Sequence, residues 1–437
     1  MDAKSQQTTM IKSLSLRDNF IWTFIGNVVY SGCQWCMLII LAKVGNPSMV
    51  GEFSLGLAIT APVIMLTNLQ LRGVQATDAK REYQFCDYLA LRLTTTMLAF
   101  IIIIFIIAMS KYKLSTAMVV AAVGLAKCFE SISDVFYGLL QQHERMDRIA
   151  ISMMIKGPLS LASLGVAVYL TGSVFWGALA LGAAWAIVLL SYDIHNGAMV
   201  LGEKEKCRMW LQSLIKIRPR WDIKTLYRLA WLALPLGVVM MLISLNANIP
   251  RYFIQHYKGE YWLGIYSAMA YLMVAGRTVI GALGQSASPR LAKYYASQDS
   301  VSYNKLFYKL LGIGAIIGVI GILVAVLGGK MLLSLIYTPE YAQETNVFVL
   351  LMVAAALSYM ASFAGYGMTA ARYFRSQLPL FVIVTIITTI AAALLIPKLG
   401  LIGAALAVIL SNFAQLIGSM YIVGLAVRRL KNNITVE

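Results

Sequence analysis

The chain alternates long apolar runs with short charged segments, and this alternation constrains its fold more than any other feature. A membrane-crossing helix needs about 20 predominantly apolar residues. Only 13% of the residues are charged and 59% are hydrophobic, whereas a soluble protein carries about 25% charged residues. The sequence therefore predicts an all-α polytopic membrane protein with twelve transmembrane helices. The predicted spans lie near 20–41, 49–71, 88–109, 114–141, 149–170, 174–196, 229–252, 261–289, 306–327, 345–370, 377–396 and 400–425.

Basic residues are distributed unevenly between the two sides of this predicted topology. With a cytoplasmic N-terminus, 26 of the 36 Lys and Arg residues fall in cytoplasmic segments, seven fall outside, and three lie at membrane depth. An excess of cytoplasmic basic residues is the usual determinant of orientation. We therefore expect both termini in the cytoplasm, and the net charge of +17 needs no nucleic-acid partner to explain it. The first apolar run lacks a convincing cleavage site, so it is interpreted as a span rather than a signal peptide.

The longest polar segment, from about 197 to 224, separates the first six spans from the last six. We predict an N-lobe over 1–196, a basic amphipathic cytoplasmic linker over 197–225, and a C-lobe over 226–437. A basic amphipathic segment is typical of a membrane surface.

The two halves also resemble each other weakly. The segment 50–59 is similar to 263–272, and 177–194 is similar to 403–420. Each pair begins at the same side of the membrane, so the pattern predicts parallel repeats, as in transporters built from two six-helix lobes.

One arginine lies near the middle of a predicted span. Between Glu260 and Arg290 the only charged residue is Arg277. An arginine at this depth costs about 2.5–3.5 kcal/mol on insertion scales, so such residues usually face a water-filled cavity. The alternative is that Arg277 pairs with a structural acid. Snorkelling to an interface is disfavoured because Arg277 lies near the middle of the span. We expect Arg277 to face a cavity.

Span four carries three ionisable residues on one face, because Lys127, Glu130 and Asp134 are spaced three and four apart. Lys156 in span five lies at the same depth as Asp134 in an antiparallel hairpin, which predicts a structural ion pair between them. Glu130 would pair with Lys127 or respond to protons or cations. These four residues are the candidate coupling or structural charge network.

Two other features of the spans have structural interpretations. Pro235 and Gly237 mark a bending point in span seven, and the alternative is a proline that membrane helices tolerate. The Cys33–Cys36 spacing lies inside an apolar run without a second ligand pair, so we interpret both as buried structural cysteines. We expect no metal and no cofactor.

Three stretches carry a resemblance to a known family: GNVVYSGCQWCMLIILAKVGNPSMVGEFSLGLAITAP followed by LQLRG, then LLSLIYTPEYAQETNVFVLLMVAAAL, and finally IPKLGLIGAALAVILSNFAQLI. The chain resembles the polysaccharide-transporter branch of the multidrug/oligosaccharidyl-lipid/polysaccharide exporter superfamily, the Wzx-type flippases. The resemblance implies two six-helix lobes around a central cavity. It also implies export of polyprenyl-diphosphate-linked glycan repeats across the bacterial inner membrane. We expect the protein to act as a monomer, in contact with membrane lipids and beside a polysaccharide polymerase and chain-length proteins.

The resemblance also implies which residues bind substrate. Relatives of this kind place cavity arginines on helices one, two and eight. Arg72 and Arg277 match on helices two and eight, whereas span one carries only Asn27, Gln34 and, at its outer end, Lys43. A detailed copy of the lipid II site is therefore not expected.

A diphosphate needs cationic donors, because an unpaired anion in a low dielectric is very costly. Arg277 is the best candidate. Arg72 and Arg92 lie at predicted cytoplasmic helix ends, where they would capture the headgroup or simply determine topology. Lys43 and Arg251 lie near the outer ends, where they would form a release site or be solvated.

Two other functional classes fit parts of the sequence. A cation- or proton-coupled multidrug antiporter of the same superfamily would need cavity acids for cationic substrates. A membrane-embedded polymerase or acyltransferase would need catalytic groups, but the sequence has no DxD carboxylate pair and its three histidines lie at or near helix ends. We therefore expect a transporter rather than an enzyme.

Overall fold

The computed structural model describes residues 16–78, 81–201, 218–371 and 373–434. Within these ranges every regular element is helical. A helix satisfies its backbone hydrogen bonds internally, which is the requirement for crossing a bilayer without losing them to lipid. The helices are α1 Leu16–Val44, α2 Pro47–Asn68, α3 Leu71–Thr77, α4 Phe85–Met109, α5 Leu114–Gln142, α6 Met146–Thr171, α7 Val174–Val188, α8 Ile194–Val200, α9 Ile223–Lys258, α10 Glu260–Tyr271, α11 Met273–Ala296, α12 Ser300–Ile336, α13 Pro339–Ala342, α14 Thr345–Ala370, α15 Phe374–Leu399 and α16 Leu401–Ile434.

Among the described residues, 11 helices are long and apolar enough to cross a membrane. This confirms the predicted all-α, multi-pass membrane protein. The predicted span near 114–141 does form a helix, α5, but it is not among the eleven. Twelve spans and two cytoplasmic termini therefore stay predictions. Most of the predicted linker, 202–217, lies outside the described residues.

Contacts divide the chain into two compact units. The first unit contains the residues up to Met37 and the stretch Ile59–Met240, and the second contains Leu38–Ala58 and the residues from Met241 onward. Helices α1, α2 and α9 each contribute to both units. The sequence-based division at 197–225 stays a prediction.

The core of the first unit lies where α4, α5 and the beginning of α9 meet. Phe85 and Phe136 pack with their ring centroids 5.3 Å apart, and Leu229 of α9 is fully buried in the same cluster. Gly237 follows two turns later on α9, where a Cβ would collide with the carbonyl oxygen of Leu66. Close packing therefore explains this glycine in addition to the predicted hinge, which stays a prediction for Pro235 and Gly237.

In the second unit, α2 and α10 touch through a reciprocal pair of glycines. A Cβ on Gly51 would collide with the backbone of Glu260, and a Cβ on Gly264 would collide with the backbone of Pro47. Gly51 and Gly264 occupy equivalent positions in the two similar segments 50–59 and 263–272. The contact is therefore pseudo-symmetric, as a parallel internal repeat predicts.

The cysteines form no disulfide among the described residues, where Cys33, Cys36, Cys86 and Cys128 are all free. Cys33 and Cys36 are half-buried, so the expectation that both are buried is wrong. The two side chains lie on α1, whose most apolar stretch is mainly accessible in the isolated chain.

Candidate functional site

A polar cavity of about 440 Å³ lies within the first unit, along the charged face of α5. The three- and four-residue spacing on α5 directs Lys127, Glu130 and Asp134 to one side of the helix, as the sequence predicts. Lys156 of α6 reaches the same cavity. The lining residues are Tyr30, Ala61, Ile64, Met65, Asn68, Gln70, Arg72, Lys127, Glu130, Ser131, Asp134, Tyr137, Met153, Lys156 and Met240.

Asp134 is held between two arginines. Its carboxylate lies 3.2 Å from the Arg92 guanidinium and 3.6 Å from that of Arg72. Arg72 also donates to Gln141 at 3.0 Å and lies over the Tyr137 ring. About a third of the Arg72 side chain remains exposed, so Arg72 both anchors Asp134 and lines the cavity.

Arg92 lies in a different environment from the one expected. The sequence places it at a cytoplasmic helix end, but its side chain is fully buried two turns inside α4 and donates to Asn68 as well as to Asp134. The amide oxygen of Asn68 and the carboxylate of Asp134 accept these hydrogen bonds and offset the cost of burying the guanidinium. In this arrangement Arg92 fixes Asp134 and Asn68 from behind and does not itself line the cavity.

Glu130 is the acceptor of a second charge pair. Lys127 donates to it at 2.7 Å, and the Tyr30 hydroxyl donates to its other carboxylate oxygen at 2.5 Å. The Lys127 ammonium also lies 5.0 Å from the centroid of the Trp185 ring, within cation–π distance. The pairing of Glu130 with Lys127 is one of the two alternatives that the sequence left open.

Lys156 does not pair with Asp134, so that expectation is wrong. Its ammonium donates to Ser133, Tyr137 and Asp193 at 2.9, 3.0 and 3.3 Å. Almost none of the Lys156 side chain and none of the Asp193 side chain is exposed. Asp134 follows Ser133 directly in the chain, but its carboxylate is already occupied by the two arginines.

Asp193 was missed because nothing in the sequence marks it as interior. It lies near the end of predicted span six, where an acid is usually solvated. In the structure, residues Leu189–Asp193 form a π-helical turn between α7 and α8. Ser152 donates to Asp193 at 2.5 Å and also bonds the Tyr137 hydroxyl, which closes the network around Lys156. The π-turn marks this site in the structure, since such turns are frequent at functional sites, but no residue pattern in the sequence announces it.

In the second unit, Arg277 lies on α11 and donates to the hydroxyl of Ser358 on α14 at 3.4 Å. Tyr359, the next residue, bonds the carbonyl of Met273 at the start of α11. Because α14 packs against α11, α12 and α16, this hydrogen bond directs the guanidinium toward a helix inside the second unit. Among the described residues, no carboxylate forms an ion pair with Arg277, although its side chain is accessible.

The two predicted outer cations each donate a hydrogen bond to a neutral oxygen of the second unit. Lys43 is exposed and donates to the Leu335 carbonyl at 3.0 Å. Arg251 donates to Asn248 at 2.6 Å, one turn away on α9. The structure thus brings Arg72 to the cavity beside the α5 charges, whereas Lys43, Arg251 and Arg277 belong to the other unit. Their predicted part in binding stays a prediction.

An ion pair that the sequence did not suggest joins the residues before α9 to the beginning of α4. Arg220 donates to both oxygens of Asp87 at 2.7 and 2.9 Å, and its backbone N–H bonds the Cys86 carbonyl. Asp87 is fully buried and also accepts from the backbone N–H of Gln84, which forms a capping box. This bidentate contact fixes the entry into α9.

Residues 16–295 match the model of a family described as polysaccharide biosynthesis protein. The chain is 28% identical to the capsular polysaccharide biosynthesis protein CapF of Staphylococcus aureus over 408 residues, which are 92% of this chain and 98% of that protein.

Solved structures share the fold. An inward-facing multidrug resistance MATE family transporter of the MOP superfamily superposes with a TM-score of 0.73 at 13% identity, covering 93% of this chain and 95% of that one. A MOP superfamily transporter from Pyrococcus furiosus, for which a binding pocket of reverse polarity is described, gives a TM-score of 0.63 at 16% identity over 94% and 95% of the two chains.

Proposed function

Because the chain belongs to the family of polysaccharide biosynthesis proteins, we propose that it flips polyprenyl-diphosphate-linked oligosaccharides across a bacterial inner membrane. The cargo would be a precursor of O-antigen, capsule or exopolysaccharide, carried from the cytoplasmic to the outer leaflet by alternating access. The similarity to a capsular polysaccharide biosynthesis protein supports this cargo class. The protein would act as a transporter and not as an enzyme, without a cofactor, as a monomer beside a polysaccharide polymerase and chain-length proteins.

Arg277 is the observation that carries this proposal. It is a cation at membrane depth, directed toward the interior helix α14, with no carboxylate paired to it in the described part of the chain. A guanidinium in this position costs free energy unless an anion joins it. A diphosphate fits this requirement because a guanidinium donates to phosphate oxygens in a bidentate fork.

The test compares two substitutions at Arg277 with one at Arg290 on the same helix. Arg277→Ala should lower glycan export about tenfold or more, because charge-assisted hydrogen bonds contribute about 1.5–3 kcal/mol each. Arg277→Lys should rescue poorly, since an ammonium cannot reproduce the fork. Arg290→Ala removes an exposed arginine of the same charge and should leave export near the wild-type level.

Export is measured as surface polysaccharide in cells that lack their own flippase, and expression and melting temperature are measured on the purified variants. A well-folded Arg277→Ala protein with intact export would contradict the proposal. A protein that loses expression and melting temperature instead would show that Arg277 has a structural partner.

The alternative, a multidrug antiporter of the same superfamily, is disfavoured by the charges of the first unit. Glu130, Asp134 and Asp193 are each paired with a lysine or an arginine of the same unit. An acid that is already neutralised offers little attraction to a cationic drug. Drug resistance conferred by the wild-type protein, abolished by Glu130→Gln, would favour the antiporter.

A further inference from the structure

The cavity of the first unit has the size of a small-molecule site. Its wall mixes hydrogen-bond donors and acceptors, whereas a phosphate site presents mainly cations and donors. Its volume of about 440 Å³ lies in the range of about 300–1,000 Å³ that ligand pockets occupy. Amides, carboxylates, cations and two tyrosines share its wall with apolar side chains. Such a wall offers hydrogen-bond donors and acceptors side by side.

Each charged group of this wall already has a partner of opposite charge. Arg72 pairs with Asp134, Lys127 pairs with Glu130 at 2.7 Å, and Lys156 pairs with the buried Asp193 behind the wall. A dianionic diphosphate entering here would meet two carboxylates as well as the three cations. None of the three lining cations is therefore free of a carboxylate, as a diphosphate site requires.

The paired groups nevertheless keep hydrogen-bonding capacity toward the cavity. The Arg72, Asp134, Lys127 and Glu130 side chains are between 21% and 32% exposed. A carboxylate can accept several hydrogen bonds and a guanidinium can donate five, so one ion pair leaves sites on both. Hydroxyl groups, which donate and accept at once, match this mixture.

The backbone between α2 and α3 places one more group in the cavity. Leu69 and Gln70 both have φ near 52°, a left-handed conformation that non-glycine residues rarely adopt. Such residues cost about 1–3 kcal/mol each and cluster at functional sites. The turn directs Gln70 to the cavity, where its side-chain amide forms no hydrogen bond to the described residues.

Asn68 adds a second amide on the same wall. Its carbonyl oxygen accepts from the buried Arg92, which fixes the orientation of the side chain. The amide nitrogen is left without a partner among the described residues. Two amides, one of them held from behind by Arg92, thus lie beside the exposed edge of Asp134.

We propose that this cavity is a saccharide subsite, in which the amides of Gln70 and Asn68 and the exposed edges of Asp134 and Glu130 bind sugar hydroxyls. The proposal rests on the proposed function and adds a division of labour to it. The first unit binds a sugar of the glycan, and Arg277 of the second unit binds the diphosphate. Gln70 is then a specificity-determining residue for the glycan.

The test uses two soluble probes and the purified full-length protein in nanodiscs. One probe is the oligosaccharide released by mild acid from the lipid-linked pool of the cells that make the protein, and the other is inorganic pyrophosphate. The variants are Gln70→Gly, which removes the amide and suits the left-handed backbone, and Gln70→Asn, which keeps a shorter amide and tolerates the same φ. Affinities are measured by isothermal titration calorimetry.

Gln70→Gly should weaken saccharide binding at least fivefold while its pyrophosphate affinity stays within twofold of wild type. The saccharide affinity of Gln70→Asn should lie between those of Gln70→Gly and wild type. Arg277→Ala should weaken pyrophosphate binding and leave the saccharide affinity near that of wild type. The subsite is overturned if wild-type protein does not bind the oligosaccharide saturably, if Gln70→Gly binds it normally, or if pyrophosphate displaces it from one shared site.

A translocation assay tests the proposed flippase activity independently of saccharide binding. Wild-type protein is reconstituted in vesicles with the lipid-linked oligosaccharide, and translocation to the other leaflet is followed. Failure to translocate would count against the flippase even if the binding pattern held. Translocation that Gln70→Gly leaves unchanged would support the flippase and overturn the subsite.

Discussion

The two units differ in whether the charged side chains at membrane depth have ion-pair partners. In the first unit the α5 acids and Asp193 are all paired with cations, and two of the partners, Arg92 and Lys156, are almost completely buried. In the second unit Arg277 donates to a serine hydroxyl and remains accessible. A buried charge that is paired on site cannot lose its partner without destabilising the fold, whereas an accessible charge without a counter-charge is available to a ligand. The difference indicates that the paired charges of the first unit maintain the fold, whereas Arg277 is available to bind an anion.

The largest expected effect is at Lys156, the most buried of these cations. Lys156→Met should lower the free energy of unfolding by about 3–5 kcal/mol, because it leaves the buried Asp193 carboxylate without its cation. The double variant Lys156→Met/Asp193→Leu should recover much of the loss, since neither charge remains. Unfolding is followed by thermal or chemical denaturation in detergent, with the exposed Lys309→Met as the control. A Lys156→Met protein as stable as wild type would contradict a structural role for the paired charges of the first unit.

A smaller effect is expected at Arg220, which is about half exposed although its partner Asp87 is buried. Arg220→Ala should lower stability by about 1–3 kcal/mol, because water reaches the carboxylate only in part. Arg220→Lys should recover only some of this, since it keeps the charge but loses the bidentate fork. Melting temperatures are compared with that of Lys224→Ala, an exposed neighbour. Equal behaviour of the two Arg220 variants would argue against the fork.

A still smaller effect is expected at Lys127. Its pair with Glu130 is partly exposed and joins residues three apart on one helix, so Lys127→Met should cost at most about 1 kcal/mol. Glu130 keeps the hydrogen bond from Tyr30 in this variant. The same denaturation experiment checks it, with Lys127→Arg as the charge-preserving control. A loss as large as that of Lys156→Met would show that Lys127 is structural to the same degree.

The smallest stability effect is expected at Arg277, the residue with the largest expected effect on export. Removing an uncompensated cation from membrane depth relieves a cost and strands no acid within the described residues. Arg277→Ala should therefore melt at or slightly above the wild-type temperature. A clear decrease would place Arg277 among the paired charges of the other unit and remove the contrast between them.

The site was predictable in part. The helical period is enough to place Lys127, Glu130 and Asp134 on one face, because that face follows from 3.6 residues per turn. The partner of Lys156 was not predictable, since depth in a hairpin leaves several acids within reach. The choice of Asp193 over Asp134 depends on the π-turn and on the two arginines that already occupy Asp134. Gln70 was missed for the same reason, because only its left-handed backbone directs it to the cavity.

The sequence by itself determined that this chain is a multi-pass helical membrane protein, because the length and polarity of apolar runs fix which segments a bilayer accepts. It also determined that Arg277 is anomalous, since insertion cost depends on depth along one helix. Only the tertiary structure decided which charges are compensated. Ion pairing depends on distances of a few ångströms between residues on different helical elements, such as Lys156 and Asp193, which are 37 positions apart, or Arg92 and Asp134, which are 42 positions apart. No period within a single helix encodes those distances.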